Sequence, residues 1–319
     1  MKAKYRFGLF LAVLLLTGIL LTPASAVWGA KSSQFELIER DGTKVTLANI
    51  PRRVVVLTQS TAQVLWHLGV KPVGITPSPA LPQELQGISQ VGMGMRPDLE
   101  KIKSLRPDLV ISFFGFKSTL KSSFAEHGIP AYFIDDQRYT DTLNNITQLG
   151  AAFNRREQAR KLLETMKERE RKILSRIAGK PSPKVMIIFG TANSFMLAGE
   201  KSFAGDLVKI LKGTNITGLM KGVKGPLNGY MPLSLENVVA LNPDIILRIS
   251  HGNPGATQAI FRKEFSENPI WKQLSAVQQK RVYDLEPKLF FANPGLQCSD
   301  ALEKLADLLY RTDNAERRR

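Results

Sequence analysis

The sequence predicts an α/β protein of two lobes, each with a mainly parallel sheet flanked by helices, joined by one long backbone helix. Three observations predict it. Apolar runs of strand length alternate with helical segments, the pattern of parallel sheets covered on both faces. One helical segment, from about Arg155 to Ile177, is far longer than its neighbours. A helix-to-strand unit occurs twice, once on each side of that segment.

Taken in order, Lys2, Lys4 and Arg6, the apolar run Phe7 to Leu21 and then Ala24-Ser25-Ala26 form the tripartite pattern of an export signal. The run is short of the ~20 residues that a membrane span needs, so cleavage after Ala26 is expected. Val27 is not a cysteine, so this cleavage site supplies no lipid anchor. The expected location is a periplasm, and the expected layout is 1–26 signal peptide, 27–150 N-terminal lobe, 151–180 linking helix and 181–319 C-terminal lobe.

Phe35 to Leu47 reads as a hairpin around the turn pair Asp41-Gly42. Val54 to Leu57 is a buried-strand pattern, and Thr58-Gln59-Ser60-Thr61 opens a helix that runs to His67 and stops at Gly69. Further strands start at Val73, Leu109 and Tyr132. In the long segment Ala159, Leu162, Leu163, Met166, Ile173, Leu174 and Ile177 make one apolar stripe. At 1.5 Å per residue it gives a rod of roughly 34 Å, enough to bridge two lobes. Gly179, Pro181 and Pro183 end it. Lys184 to Phe189 is then a strand, Ser202 to Leu211 a helix, and Ile245 to Leu247 another strand.

The repeated unit is Asp98-Leu99-Glu100 through Arg106-Pro107-Asp108 to Ile111, and Ser234-Leu235-Glu236 through Asn242-Pro243-Asp244 to Leu247. Each has a capping residue, an acid in the first helical turn, an apolar stripe, Pro-Asp as breaker and a buried strand. Glu100 and Glu236 therefore occupy equivalent places. Either both favour the helix dipole, or they are paired carboxylates for a two-fold related receptor.

The formal net charge is +16, but the basic residues are scattered through helical patterns with no recognition module, so nucleic acid is not an expected partner. Cys298 is the sole cysteine, which excludes an intramolecular disulfide and cysteine-based clusters. No second long apolar run suggests a permease, and no GxxxxGK[ST] loop suggests ATP hydrolysis.

Ligands of open α/β sheets sit beyond the C-terminal ends of the strands. Here those positions hold Ser60 and Thr61, Phe113 to Phe116 with Phe114 foremost, Gly190 to Phe195, and His251 after Ser250. The set is aromatic, small and hydroxylated and poor in acids, which suits a large, flat, mostly apolar ligand. His67, inside a helix, and His127, at a helix end, have ordinary structural readings, whereas His251 follows a buried strand. Gly92-Met93-Gly94-Met95 interleaves two methionines with glycines, an unusual loop. A thioether and an imidazole can ligate haem iron from opposite faces. A locally bonded His251, methionines resting on phenylalanines, and Met93 in place of Met95 are the open alternatives.

At these residues the chain resembles the binding proteins of ABC importers for iron complexes and cobalamin, the class whose lobes are joined by one long helix, and within it the haem binders of the iron-regulated surface determinant system. The resemblance covers roughly residues 50–310. It is carried by Val91-Gly92-Met93-Gly94-Met95-Arg96-Pro97-Asp98-Leu99-Glu100, Phe203 to Ile210, Asn242 to Arg248 with His251-Gly252, and Arg281 to Glu286.

The resemblance implies haem b as transported ligand, Met95 and His251 as axial ligands, and Glu100 and Glu236 as docking residues. The implied partners are an ABC permease dimer with cytoplasmic ATPase subunits and an upstream haem receptor. The chain would act as a monomer without catalysis. Two departures stand out: the lipidation cysteine is missing, and the Thr76 to Pro82 loop lacks the expected lysine partner for the haem propionates. Backbone N–H groups near Ser60 or Thr61, Arg96, or the Lys221 to Lys224 loop are the substitutes. The rival readings are a ferric-siderophore or cobalamin carrier of the same class and an exported tetrapyrrole metal chelatase.

Overall fold

A computed structural model describes residues 35–311 apart from 79–80, 82, 192–193, 221–228, 252–253 and 291. The expected export signal, the Lys221 to Lys224 loop and the arginine tail lie outside the described residues. Strands β1 (Phe35–Ile38) and β2 (Lys44–Leu47) form the expected hairpin, with Phe35 opposite Leu47. Its turn is closed by the Asp41 carboxylate, which accepts the Thr43 N–H at 3.0 Å, and by Gly42 at φ +84°.

The first sheet uses β3 (Val54–Val56), β4 (Gly74–Ile75) and β5 (Ser89–Gln90). After a short hairpin of β6 (Gly92–Met93) and β7 (Arg96–Pro97) it adds β8 (Leu109–Phe113) and β9 (Ala131–Ile134). Its order is β5-β4-β3-β8-β9 and every pairing is parallel. Helices α1 (Gln59–His67), α2 (Leu99–Ser104), α3 (Lys117–Glu126) and α4 (Tyr139–Ala152) accompany it, and α5 (Arg156–Ile177) is the long helix.

The second sheet holds β10 (Lys184–Gly190), β11 (Phe195–Ala198), β12 (Thr214–Asn215), β13 (Tyr230–Pro232), β14 (Ile245–Ser250) and β15 (Val282–Leu285) in the order β13-β11-β10-β14-β15, with β12 also on β10. β10, β12, β14 and β15 pair in parallel as expected, whereas β11 and β13 run antiparallel. The chain reverses directly after β10, Thr191 N–H donating to Ser194 O at 2.9 Å, and so short a connection can only join antiparallel strands. Helices α6 (Phe203–Ile210), α7 (Leu235–Leu241), α8 (Pro254–Glu267), α9 (Pro269–Lys272), α10 (Ser275–Gln278), α11 (Pro287–Phe290) and α12 (Cys298–Leu309) complete this half.

The sequence repeat is a repeat of bonding. Asp98 caps α2 by accepting the Lys101 N–H at 2.9 Å, and Ser234 caps α7 by accepting the Asn237 N–H at 3.4 Å. The residues before the two prolines, Arg106 and Asn242, both turn left-handed, at φ 47° and 42°, and the helices end there. Asp108 then accepts the N–H groups of Arg52 and Arg53, while Asp244 accepts that of Lys184, so each Pro-Asp clamps the start of the neighbouring strand. A basic side chain at the start of that strand, Arg53 just before β3 and Lys184 as the first residue of β10, completes the unit. Arg53 donates to Leu105 O at 2.7 Å and Lys184 to Leu241 O at 2.8 Å, satisfying helix-end carbonyls.

Between the sheets, α5 buries Ala159, Met166, Ile173 and Ile177 and ties its outer face to α12 through Arg169, which pairs with Asp300 and Glu303. One apolar core runs through Val54 and Ile111 of the first sheet, Ile187 and Leu247 of the second, and Leu302 and Leu305 of α12. Polar links cross the same seam: Tyr139 N–H donates to Asp206 at 3.0 Å, and Asn293 donates to Arg138 O at 2.9 Å. Close-packed interiors resist shear, so only small relative movement of the halves is cheap. Among the described residues no helix is long and apolar enough to cross a membrane.

Candidate functional site

The C-terminal strand ends of the two halves converge on one cavity of about 390 Å³. The first half contributes Leu57 to Ser60 after β3, Phe113 and Phe116 around the end of β8, and Asp136 beyond β9; the second contributes Pro287, Lys288 and Ala292 to Pro294 beyond β15. Phe113 and Phe116 meet edge to face at 5.4 Å, and the Ser60 hydroxyl donates to the Asp136 carboxyl. Asp136 is the one acid among the described residues that line the cavity. Burial pushes its carboxyl up to about 8, helped by the charges of Asp141 and Asp135, against the opposing hydrogen bond from Ser60.

Ser60 lines this cavity, whereas Thr61 does not. Thr61 is 2% exposed, its N–H is taken by the capping Thr58 hydroxyl at 3.3 Å, and its own hydroxyl finds no partner. Ser78 is tied to α1, its hydroxyl donating to Gln59 at 2.5 Å.

Met95 sits in the turn between β6 and β7. That hairpin is fixed over the C-terminal end of β3: Thr76 donates to Gly92 O at 2.9 Å, and Gly94 lies so close to Leu57 O that a Cβ there would stand 2.7 Å from it. Gly92, at φ +82°, is likewise pressed against Asp98 N. With the backbone pinned, Met93 and Met95 point outward, 61% and 60% exposed, although a methionine gains nothing from water. Arg96 on β7 is exposed as well.

His251 follows β14, its N–H donating to Gly190 O at 2.9 Å at the end of β10. Its exposed ring lies over Phe189 at 5.5 Å, and Phe189 meets Tyr230 edge-on at 5.1 Å. Phe195 stacks on Phe261 at 4.8 Å beneath the same strand ends. Phe114, by contrast, lies under Arg40 and Lys117 and lines a second hollow, of about 680 Å³, which shares Phe113 with the first cavity but not Phe116. The other two histidines are locally bonded through Nδ1, His67 to Gln63 O and His127 to Ser123 O.

Glu100 and Glu236 are exposed in the first turns of α2 and α7, and Glu100 stands 3.9 Å from His127 Nε2. Among the described residues no three His, Cys, Asp or Glu side chains gather to hold a bare metal ion. Asp136, Lys288 and Asn293 in the cavity, and Phe189 and Tyr230 beside His251, are residues that the sequence pattern does not single out. Only Asp136 had a signal, since it follows the Tyr132-Phe133-Ile134 strand as the other candidates follow theirs.

Residues 54–289 match the periplasmic binding protein family. The high-affinity heme uptake system protein IsdE of Staphylococcus aureus is 34% identical over 261 residues, covering 81% of this chain and 87% of that protein. The structure of S. aureus IsdE complexed with heme superposes with a TM-score of 0.71 over 81% of this chain and 99% of that one. An ABC transporter substrate-binding protein from Listeria monocytogenes EGD-e, also 34% identical, superposes at 0.74 over 82% and 99%. S. aureus SirA complexed with staphyloferrin B, at 22% identity, superposes at 0.70 over 86% and 97% and shares the fold. By its sequence, its two sheets joined through a long helix and the cavity at their strand ends, the chain belongs to the periplasmic binding protein family.

Proposed function

We propose that this chain is the extracytoplasmic haem-binding component of an ABC importer, with haem b as its cargo. The observation that carries the reading is the pair of outward-facing ligands: a methionine on a pinned hairpin over the first sheet's strand ends, and an exposed histidine at the second sheet's strand ends. Met95 and His251 are then the two axial ligands, one from each half, and the aromatic pairs Phe113–Phe116 of the first half and Phe189–Tyr230 of the second receive the porphyrin faces. The likeness to IsdE supports this assignment.

In this reading the chain is exported, processed after Ala26, and works as a monomer with lobes at 27–150 and 181–319. Glu100 and Glu236 present equivalent carboxylates to a permease dimer served by cytoplasmic ATPase subunits. Catalysis has no part in the cycle. Capture is reversible, and the shared core limits closure to a small adjustment of the two sheet ends.

Haem titration followed in the Soret band tests the proposal. A shifted low-spin spectrum is expected for the wild type, with loss of that signature and at least about tenfold weaker binding, ~1.4 kcal/mol, in Met95→Ala and in His251→Ala. Met93→Ala is expected to leave the spectrum unchanged. No Soret shift in the wild type, with tight binding of a ferric siderophore instead, would replace haem by that rival cargo. A Met93→Ala spectrum altered in place of the Met95→Ala one would move the axial ligand two residues back.

A further inference from the structure

The floor of the cavity carries chemistry that axial ligation does not use. Asp136 and Lys288 enter it from opposite halves of the molecule, together with Ser60 and Asn293. Lys288 shares its partner: its ammonium lies 3.5 Å from Glu286, but Glu286 is already engaged by Lys304, so two lysines face one carboxylate and positive charge is left over at the rim. Asn293 is anchored by Thr142 and Arg138 O and holds the wall in place. We infer that Asp136 and Lys288 form a carboxylate-receiving subsite for the propionate edge of the tetrapyrrole, Lys288 as the cation and Asp136 as a hydrogen-bond donor. The inference rests on the haem reading above and supplies the anchor left open by the missing lysine of the Thr76 to Pro82 loop.

An ionised Asp136 would repel a propionate, so the subsite works only with a neutral carboxyl. Burial enforces that state, and the negative charges of Asp141 and Asp135 add to it, outweighing the Ser60 hydroxyl on α1, whose donated hydrogen bond favours the ionised form. Cys298 on α12, a thiol that burial pushes up to about 12, stays neutral and adds no charge. Lys288 on α11 is the one cation that shares the cavity with it. With its carboxyl raised to about 8, Asp136 keeps its proton at pH 7 and can donate it in a hydrogen bond to an ionised propionate. The sign follows: the donor is present below pH 8 and is lost, with repulsion in its place, as pH rises through that value.

The test measures dissociation constants for haem and for haem dimethyl ester, whose propionates are capped, across that pH range. For wild type and haem the constant is expected to rise roughly tenfold per pH unit above 8, the slope of a single linked proton. Asp136→Asn, whose amide still donates, is expected to bind haem within a few-fold of wild type at pH 7 and to show no step. Lys288→Ala, an exposed change that leaves folding intact, should weaken haem about three- to tenfold and leave the ester unaffected. The same step in Asp136→Asn, or in the ester, would overturn the subsite while leaving haem binding standing. Failure of either pigment to bind at any pH would overturn the haem reading and the subsite with it.

Discussion

The two repeated units are alike where they build scaffold and unlike where they end. Both begin at a capped helix with Glu100 or Glu236 in its first turn, pass a left-handed residue and Pro-Asp, and clamp the neighbouring strand by the same bonds. Beyond the strands they part. Counted from its glutamate, His251 stands where the first unit has Gly115. The second unit ends in an aromatic shelf of Phe189, Tyr230, Phe195 and Phe261. The first ends in a floor with Ser60 and Asp136. The repeat gives two equal supports, and the proposed ligand chemistry lies on parts that no bond of the repeat constrains.

The largest expected effect separates Gly115 from its counterpart. A Cβ on Gly115 would fall 2.3 Å from the Phe113 ring, which walls the cavity, so the ring must move. Gly115→Ala is expected to destabilise by about 1–3 kcal/mol, an overpacking cost, and to weaken haem binding through the displaced wall. His251→Ala, at an exposed site, should change stability by no more than about 0.5 kcal/mol while abolishing the axial signature. Urea unfolding of both variants checks the contrast. Equal stability losses would show that His251 is built into the scaffold after all.

A smaller effect tests the likeness itself. Asp108→Ala removes the acceptor for two strand N–H groups and Asp244→Ala the acceptor for one. Asp108 is exposed and Asp244 half-buried, so solvent replaces more of the first loss than of the second. The two variants are therefore expected to lose similar stability, about 1–2 kcal/mol each, a drop in Tm of about 2–4 °C per kcal/mol, with the haem spectrum unchanged. A loss confined to one of them would show that the equivalence is one of sequence and not of energetics.

What could be read in advance follows the same division. The hairpin, the long helix and the repeated unit are written in periodicity and in capping residues such as Asp98 and Ser234, and these are local. β11 and β13 were less legible, because Phe195–Ala198 and Tyr230–Pro232 are short and their antiparallel pairing comes from the reversal after β10. Phe114 was legible as a strand-end aromatic but not in direction, since the tight turn at Phe114–Phe116 sends it toward Arg40 and Lys117. The buried carboxyl of Asp136 depends on Ser60 and α12, which reach it from distant parts of the chain.

The smallest contribution to the fold comes from the feature that the repeat preserves without using it for stability. Glu100 and Glu236 sit at helix starts, where a carboxylate contributes only about 0.3–1 kcal/mol, and the Glu100 side chain is 84% exposed. The strand clamps would survive without them, and in the proposed reading their matched placement serves the permease. Glu100→Lys with Glu236→Lys is expected to leave haem affinity unaltered and cost at most about 4 kcal/mol, since each reversal replaces a favourable dipole interaction of about 0.3–1 kcal/mol with an unfavourable one of similar size. The same double variant should abolish haem uptake through the cognate permease, measured as transport into vesicles that contain it. Each single reversal should lose part of the rate, and the Glu100 reversal should lose less if His127, 3.9 Å away, already shares that carboxylate in the free protein. Uptake at the wild-type rate by the double variant would remove the receptor from the explanation and leave the two acids as helix starts alone.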